Sequence, residues 1–306
     1  MANLKDIKTR IQSVQNTRKI TRAMKMVAAA KVKKAESTVK SARPFATELS
    51  TIFKRMLSAV NGEYSVENLK VKSAIDNYPV LLEKRDIKSV GLLVMSSNKG
   101  LAGAYNANII RKTISMIKEY NDNGLKVYLF IVGQKGISGL KRKIENLNCE
   151  IAKTYLSIAN DVTATGARLV AEDLADFFVD RRIDKIEILT TRFKNMMSYS
   201  VQNWKILPLS DDMKDENHQI DPLMIFEPSV HGILQSLVPM YISNIIYQAL
   251  LEAQASELAS RMTAMSAASN NADEMIRLLS IDYNKARQWA ITQELVEIVS
   301  GANALK

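Results

Sequence analysis

Apolar residues step by threes and fours at both ends of this chain and gather into short unbroken runs in its middle. Leu4, Ile7, Ile11 and Val14 open the first series, which resumes at Ala35, Val39, Ala42, Ala46, Leu49, Phe53, Met56 and Val60. This spacing draws one apolar seam along a helix, as in a coiled coil. It predicts a helix over about residues 3–60. A second series runs through Met240, Asn244, Tyr247, Leu251, Ala255, Leu258, Met262 and Met265, then Met275, Leu279, Tyr283 and Ala286. The helix breakers agree with both. No Gly precedes Gly62, Pro44 is the one proline before it, and Met240–Ser300 contains neither Gly nor Pro. Pro44 removes a backbone donor, so a kink or local compensation is expected there, and Pro239 falls in an opening turn or at a kink.

Length decides how two such helices are arranged. A helix of about 60 residues is about 90 Å long at about 1.5 Å per residue. A domain of about 130 residues has a radius of gyration near 14 Å. The terminal helices are therefore expected to leave the central domain as an antiparallel hairpin, each helix stabilised by packing on the other.

The middle of the chain holds eight of the 11 glycines, between Gly91 and Gly166. Val90–Met95, Val127–Val132 and Ile186–Thr191 are apolar runs of strand length, and Ser198–Leu207 is a fourth candidate. Ala107–Tyr120 and Ala164–Phe178 carry helical periodicity. Strands alternating with helices favour a layered, mainly parallel sheet. The expected fold class is mixed α+β and α/β, a long antiparallel coiled coil of N- and C-terminal helices plus a central Rossmann-like α/β domain. The expected divisions are an N-terminal coiled-coil helix at 1–60, a connector at 61–88 and a central α/β foot at 89–210. A second connector at 211–228 and a C-terminal coiled-coil helix at 229–306 complete the chain.

Charge changes the picture. The net charge is +10, yet residues 1–60 carry 14 Lys/Arg against 3 Asp/Glu, while the rest carries 28 against 29. The basicity belongs to the N-terminal helix. It calls for an acidic protein surface, nucleic acid or an anionic membrane as partner. Cys149 is the only cysteine and His218 and His231 the only histidines, which excludes an internal disulfide and disfavours a Cys/His metal site. No window approaches 18 apolar residues, and the N-terminus lacks the apolar region of a secretory signal.

Candidate chemistry is sparse. Ser97-Asn98-Lys99-Gly100-Leu101-Ala102-Gly103-Ala104-Tyr105 is a Gly-containing loop between a strand and a helix, a place where phosphates bind. It matches neither the P-loop nor the dinucleotide fingerprint, so a structural turn stands beside the phosphate reading. Gly133–Gly139 is a weaker version. No nucleophile elbow or HExxH is present. Two helical stretches invite a partner: Ala23–Lys34, with Met beside lysines, and Arg261–Ala268. Met supplies adaptable packing and Arg a planar charged fork, although seam filling explains the methionines equally well. Ile291, Leu295, Ile298, Val299 and Leu305 make an apolar tip that needs a cover. Two rival readings remain open: a basic coiled coil binding nucleic acid with steep salt dependence, and a nucleotide-dependent enzyme using the Ser97–Tyr105 loop.

Longer strings carry a resemblance. Ile11-Gln12-Ser13-Val14-Gln15-Asn16-Thr17-Arg18-Lys19-Ile20-Thr21-Arg22-Ala23-Met24-Lys25-Met26-Val27-Ala28 resembles the N-terminal signature of the gamma subunits of F-type ATP synthase. Tyr283-Asn284-Lys285-Ala286-Arg287-Gln288 and Ile291-Thr292-Gln293-Glu294-Leu295-Val296-Glu297-Ile298-Val299 resemble the C-terminal signature. Gly100-Leu101, Gly103, Tyr105-Asn106 and Asn108 fit the family's central loop. The resemblance is to the bacterial type, without the cysteine-bearing regulatory insertion of photosynthetic members.

The resemblance implies a central rotor shaft that couples ion flow through a membrane ring to conformational change at catalytic beta subunits. It implies no catalytic residue, cofactor or metal in this chain. The implied partners are the alpha and beta subunits around the stalk, the epsilon subunit and the membrane c-ring, without nucleic acid and without membrane insertion. The implied location is peripheral, on the cytoplasmic face of the bacterial inner membrane. Carried over by motif, Met24 is the family's coupling-sensitive methionine beside an acidic loop of the beta subunit, and Lys25 next to it is a coupling and subunit-contact position. Arg261, Gln288, Thr292 and Glu294 fall at coupling or ring-contact positions. Trp289 stands where small residues are usual, which implies a wider shaft near the bearing.

Overall fold

The computed structural model describes residues 4–59, 74–76, 78–83, 85–209, 227 and 230–304. Most of both expected connectors, and Val60 and Leu305, lie outside the described residues. The chain divides into two compact units, one of residues 1–30 with 261–306 and the other of residues 31–260. Helices α1 (Leu4–Ala59) and α6 (Val230–Ala304) contribute to both. Pro44 and Pro239 lie inside these helices. Pro44 and Lys40, whose carbonyl its missing N–H leaves open, are both exposed, so that carbonyl is on the side open to solvent.

The unit of residues 31–260 contains a five-stranded sheet in the order β3-β2-β1-β4-β5. Its strands are β1 (Ser89–Met95), β2 (Lys126–Val132), β3 (Cys149–Tyr155), β4 (Lys185–Asn195) and β5 (Ser198–Leu207). The first four are parallel, and β5 runs antiparallel to β4. The connecting helices are α2 (Tyr78–Leu81), α3 (Tyr105–Asp122), α4 (Gln134–Leu140) and α5 (Ala164–Val179). All of β1 is buried because both of its faces are covered. Leu92, Val94, Leu129 and Ile131 join α3 and α4 in one core, and Leu93, Met95, Phe130 and Val132 join α5 and α6 in the other. This is the period-two alternation of strand side chains.

The second core also receives both long helices. Leu49, Phe53 and Met56 of α1 meet Leu237, Tyr241 and Ile242 of α6, and the rings of Phe53 and Tyr241 stack at 4.2 Å. Further along, Val32, Ala35 and Val39 pack with Leu251, Ala255 and Leu258. As α1 numbers fall, α6 numbers rise, so the pair is antiparallel.

Cys149 opens the edge strand β3 and is half-buried. Burial pushes its thiol from 9.0 up to about 12, only partly offset by a backbone hydrogen bond. That keeps the thiolate fraction at neutral pH far below that of a free thiol. The folded chain is expected to resist alkylation at pH 8 and to react only when denatured. Stoichiometric labelling of the folded chain at a free-thiol rate would contradict this.

Candidate functional site: the helix pair and the loop after the first strand

In the unit of residues 1–30 and 261–306 the two helices again pair antiparallel. Arg18 Nη1 donates to Asp273 Oδ1 at 2.7 Å. Thr21 and Ala28 are buried on α1, and Met265, Ser269 and Ala272 on α6. The seam of α1 keeps one three-four register throughout this stretch, through Leu4, Ile7, Ile11, Val14, Arg18, Thr21, Lys25 and Ala28. The sequence pattern breaks into two runs because Arg18, Thr21 and Lys25 are polar, not because the register stops. Each of the three is at least half-buried. Polar residues at seam positions fix register at a cost in stability, and the Arg18–Asp273 pair does so here.

The α6 seam differs at two positions from its expected course: Met240 is exposed while Tyr241 beside it is buried, and Met275 departs in the same way. Met275 is exposed, and Ile276, one residue on, is half-buried. Ser269 and Ala272 carry the seam between Met265 and Ile276, and small side chains like these hide the period from a reading of apolar residues.

Met24 and Lys25 are half-buried, and so is Arg261. With Arg18 opposite Asp273, Met24 lies level with Ala267 and Arg261 with Ala30. The two partner-seeking stretches therefore overlap, while Met24 and Arg261 stand about 9 Å apart along the axis, six residues at about 1.5 Å each. Met24 shares its face with Ile20 and Val27, which are 60% and 58% exposed. Gln288, Thr292 and Glu294 are exposed, and the Thr292 hydroxyl donates to the Gln288 carbonyl at 2.9 Å.

The apolar tip is uncovered. Ile291, Leu295, Ile298 and Val299 are between 48% and 67% exposed, as are Val296 and, just before them, Trp289. The register explains this. Leu4, the first described residue of α1, is level with Arg287, so α6 beyond it meets no other described helix. Leu305 lies outside the described residues.

The Ser97–Tyr105 loop sits where the strand order reverses, at the carboxyl ends of β1 and β4, the usual ligand crevice of an open α/β sheet. Here the crevice is closed by the chain itself. Ser260 of α6 donates to the Ala102 carbonyl at 2.7 Å. Ser96 Oγ donates to the Val132 carbonyl and accepts from the Gly136 amide, and the Tyr105 hydroxyl donates to the Met95 carbonyl. What remains is a cavity of about 30 Å³ lined by Ser96, Ser97, Tyr105, Gln254 and Glu257. That is about the volume of one water molecule, too small for a phosphate and bordered by a carboxyl group. Burial, with Glu257 adding to it, pushes the Tyr105 hydroxyl far above the usual phenol range, so it stays protonated. The loop is a packed turn, and the phosphate and enzyme readings of it lose their geometric basis.

Gly133, in the weaker candidate loop, has a structural role of the same kind. Its φ is +94°, and an added Cβ would lie 2.5 Å from the Ser96 carbonyl oxygen. Gly133→Ala is expected to cost about 3 kcal/mol through backbone strain and the clash. Denaturant unfolding of the isolated chain measures it, and a loss below about 0.5 kcal/mol, the ordinary surface value, would contradict the packed-turn assignment. Among the described residues, no group of three His, Cys, Asp or Glu side chains is placed to hold a metal, and no helix is long and apolar enough to cross a membrane.

The comparisons with known proteins agree with this architecture. The sequence profile described as ATP synthase matches residues 3–305. The ATP synthase gamma chain of Synechococcus sp. (strain JA-3-3Ab) is 41% identical, with all of both chains covered. The chain belongs to the ATP synthase gamma-chain family. The gamma chain of Nostoc punctiforme is likewise 41% identical over the full length of both. That alignment runs over 330 positions, so this 306-residue family member lacks segments that its relatives carry.

Solved structures give the same fold. The central stalk of the Tetrahymena thermophila mitochondrial ATP synthase, from a cryo-EM structure with its c-ring, is 26% identical. It has a TM-score of 0.57 and covers 82% of this chain and 99% of its own. A chain of the Euglena gracilis mitochondrial ATP synthase, in a structure of OSCP, F1 and c-ring, matches with a TM-score of 0.68 over 99% of this chain and 94% of its own. At 17% identity that second likeness speaks to the fold alone. The family's relatives and structural neighbours are gamma and central-stalk rotor subunits. The Arg18–Asp273 pair and the Ser260 contact escaped the sequence reading. Their signals were a charge at a seam position and a hydroxyl amid the apolar α6 face.

Proposed function

We propose that this chain is the rotor shaft at the centre of an F-type ATP synthase, and that it performs no catalysis itself. The helix pair turns inside a ring of alternating alpha and beta subunits. Its asymmetry presents a different face to each catalytic beta subunit, so rotation changes their nucleotide states in sequence. The central α/β domain is the foot, against the epsilon subunit and the membrane c-ring. The complex holds the chain peripherally on the cytoplasmic face of the bacterial inner membrane. Coupling ion flow to ATP synthesis is thus a mechanical task.

Chemistry supports each assignment. Met24 and Lys25, next to exposed Ile20 and Val27, make a surface that is apolar at its centre and basic at its edge, suited to an acidic loop. Arg261, Gln288, Thr292 and Glu294 are contact positions rather than reacting groups. The single observation that carries the reading is the apolar run Ile291–Val299 left exposed on α6 in a chain of this family. Exposed apolar surface of that kind marks an interaction site, and a sleeve made by the ring covers it.

The test is reconstitution with purified alpha and beta subunits. One copy of the chain per ring with restored cooperative ATP hydrolysis is the expected result. No incorporation, under conditions where another gamma chain enters, would overturn the proposal and return the basic helix to the nucleic-acid reading.

A further inference from the structure

Glu252 is the only residue of α6 that is fully buried and carries a charge among the described residues. It lies between Leu251 and Ala253 in a run that is otherwise apolar. Taking a carboxylate out of water is costly, and the cost is offset only where partners satisfy it in good geometry. Glu252 has them. Its Oε1 accepts from Arg43 Nε at 2.8 Å and its Oε2 from Arg43 Nη2 at 3.0 Å, a two-pronged pairing. Oε2 also accepts the backbone N–H of Phe193 at 2.7 Å, and Arg192 Nε stands 3.6 Å from Oε1. Arg43 Nη2 in turn donates to the Phe193 carbonyl at 2.7 Å.

The elements joined are informative. Arg43 is on α1, Glu252 on α6, and Arg192 and Phe193 on β4. The group ties both long helices to one strand of the sheet, at one level, all within the unit of residues 31–260. One turn away, Thr190 Oγ1 donates to the Ala249 carbonyl at 3.0 Å, a second link between β4 and α6. The rest of the junction is apolar packing, including Val32, Val39, Leu251 and Ala255 around Phe193. Apolar contact is non-directional. It holds the helices against the sheet but sets their angle about the helix axis weakly. Charge-assisted, two-pronged hydrogen bonds are directional.

We infer that Glu252, held by the Arg43 and Arg192 side chains and the Phe193 backbone N–H, is the positioning residue that locks the helix pair in rotation to the central sheet. This rests on the rotor reading, since only a shaft under torque needs an angular lock. Torque entering at the foot reaches the helices through this clamp, so a weakened clamp makes the junction compliant without altering the surfaces that meet the ring.

The test uses rings of alpha and beta subunits fixed to a surface, with a bead tethered to the foot. Met197→Cys, on a turn residue 87% exposed, supplies the tether, since Cys149 is half-buried in an edge strand. The readout is the angular spread of the bead while the enzyme waits for ATP. Glu252→Gln keeps the shape and loses the charge. The amide offers one acceptor oxygen in place of two and turns an NH2 donor toward N–H groups that need an acceptor, so the two-pronged pairing is lost; the junction stiffness is expected to fall by about half and the mean-square spread to double. ATP hydrolysis without load stays near the wild-type rate. Arg43→Lys, which keeps the charge and loses the fork, is the second variant and is expected to widen the spread in the same direction, so failure of Glu252→Gln to fold leaves the question answerable. A merely structural role lowers the unfolding midpoint and leaves the spread at its wild-type width, and that result in an assembled variant would overturn the inference. Rotation of the wild-type bead is read separately: if it does not rotate, the rotor reading falls and the clamp falls with it.

Discussion

Met24→Lys is expected to leave ATP hydrolysis largely running while ATP-driven ion pumping falls by about tenfold or more. Met24 is half-buried beside Lys25 and shares a face with exposed Ile20 and Val27. In the proposed assembly that face passes an acidic loop of each beta subunit in turn. Methionine slides across such a surface because its contacts are soft and non-directional. A lysine there forms a partly desolvated ion pair of about 1.5–3 kcal/mol. The pair must break at every step, and the beta subunits can complete their cycle without driving the shaft forward against that contact. Energy that should turn the shaft is then spent on releasing the loop. The check is the ratio of ions pumped to ATP hydrolysed in reconstituted vesicles. A ratio equal to wild type would contradict the placement of Met24 against an acidic surface.

The second large effect is expected at the other end of α6. Leu295 and Ile298 are 57% and 67% exposed in the chain alone. Their double replacement, Leu295→Asp with Ile298→Asp, should leave the isolated chain as stable as before, because neither side chain joins a core. It should also raise solubility. Assembly is where the cost falls. Each apolar side chain buried in a sleeve contributes about 1.5–3 kcal/mol, and a carboxylate forced into the same place adds a desolvation penalty. The affinity for the ring should drop by at least about a hundredfold. Titration of the chain into rings of alpha and beta subunits measures this. Unchanged affinity would show that nothing apolar surrounds the tip.

The two kinds of pattern in the sequence were not equally legible. Both helices and the strands Val90–Met95 and Val127–Val132 announce themselves because burial selects apolar residues at a fixed period. Strand β3 does not. It lies at a sheet edge, with Glu150, Lys153 and Thr154 exposed, so its sequence resembles a loop. The reversed direction of β5 was also hidden. The sequence favoured a mainly parallel sheet, and the turn joining β4 to β5 is Met196–Met197, without the Gly or Asn that usually marks a hairpin. Gly232 and Pro239 lie inside α6, where local preference argues for a later start; the packing of Leu234, Leu237 and Val238 in the core outweighs it.

The candidate sites divide in the same way. The apolar tip was readable, since a helical stripe of Ile, Leu and Val needs no tertiary information to be seen; that it runs past the first described residue of α1 was not. The closed state of the Ser97–Tyr105 loop was not readable, because the residue that caps it, Ser260, comes from α6, more than 150 positions away. Arg43 and Glu252 are hidden for the same reason. Each looks like an ordinary charge until the fold brings them together 209 positions apart.

The central claim is that this chain turns as a shaft, and the most direct test is to watch it turn. Rings of alpha and beta subunits are fixed to glass, the chain is inserted, and a bead on the foot is followed after ATP is added. The account predicts stepwise rotation in one direction that stops when ATP is removed. A ring that takes up the chain and hydrolyses ATP, while the bead only jitters about one angle, would contradict it.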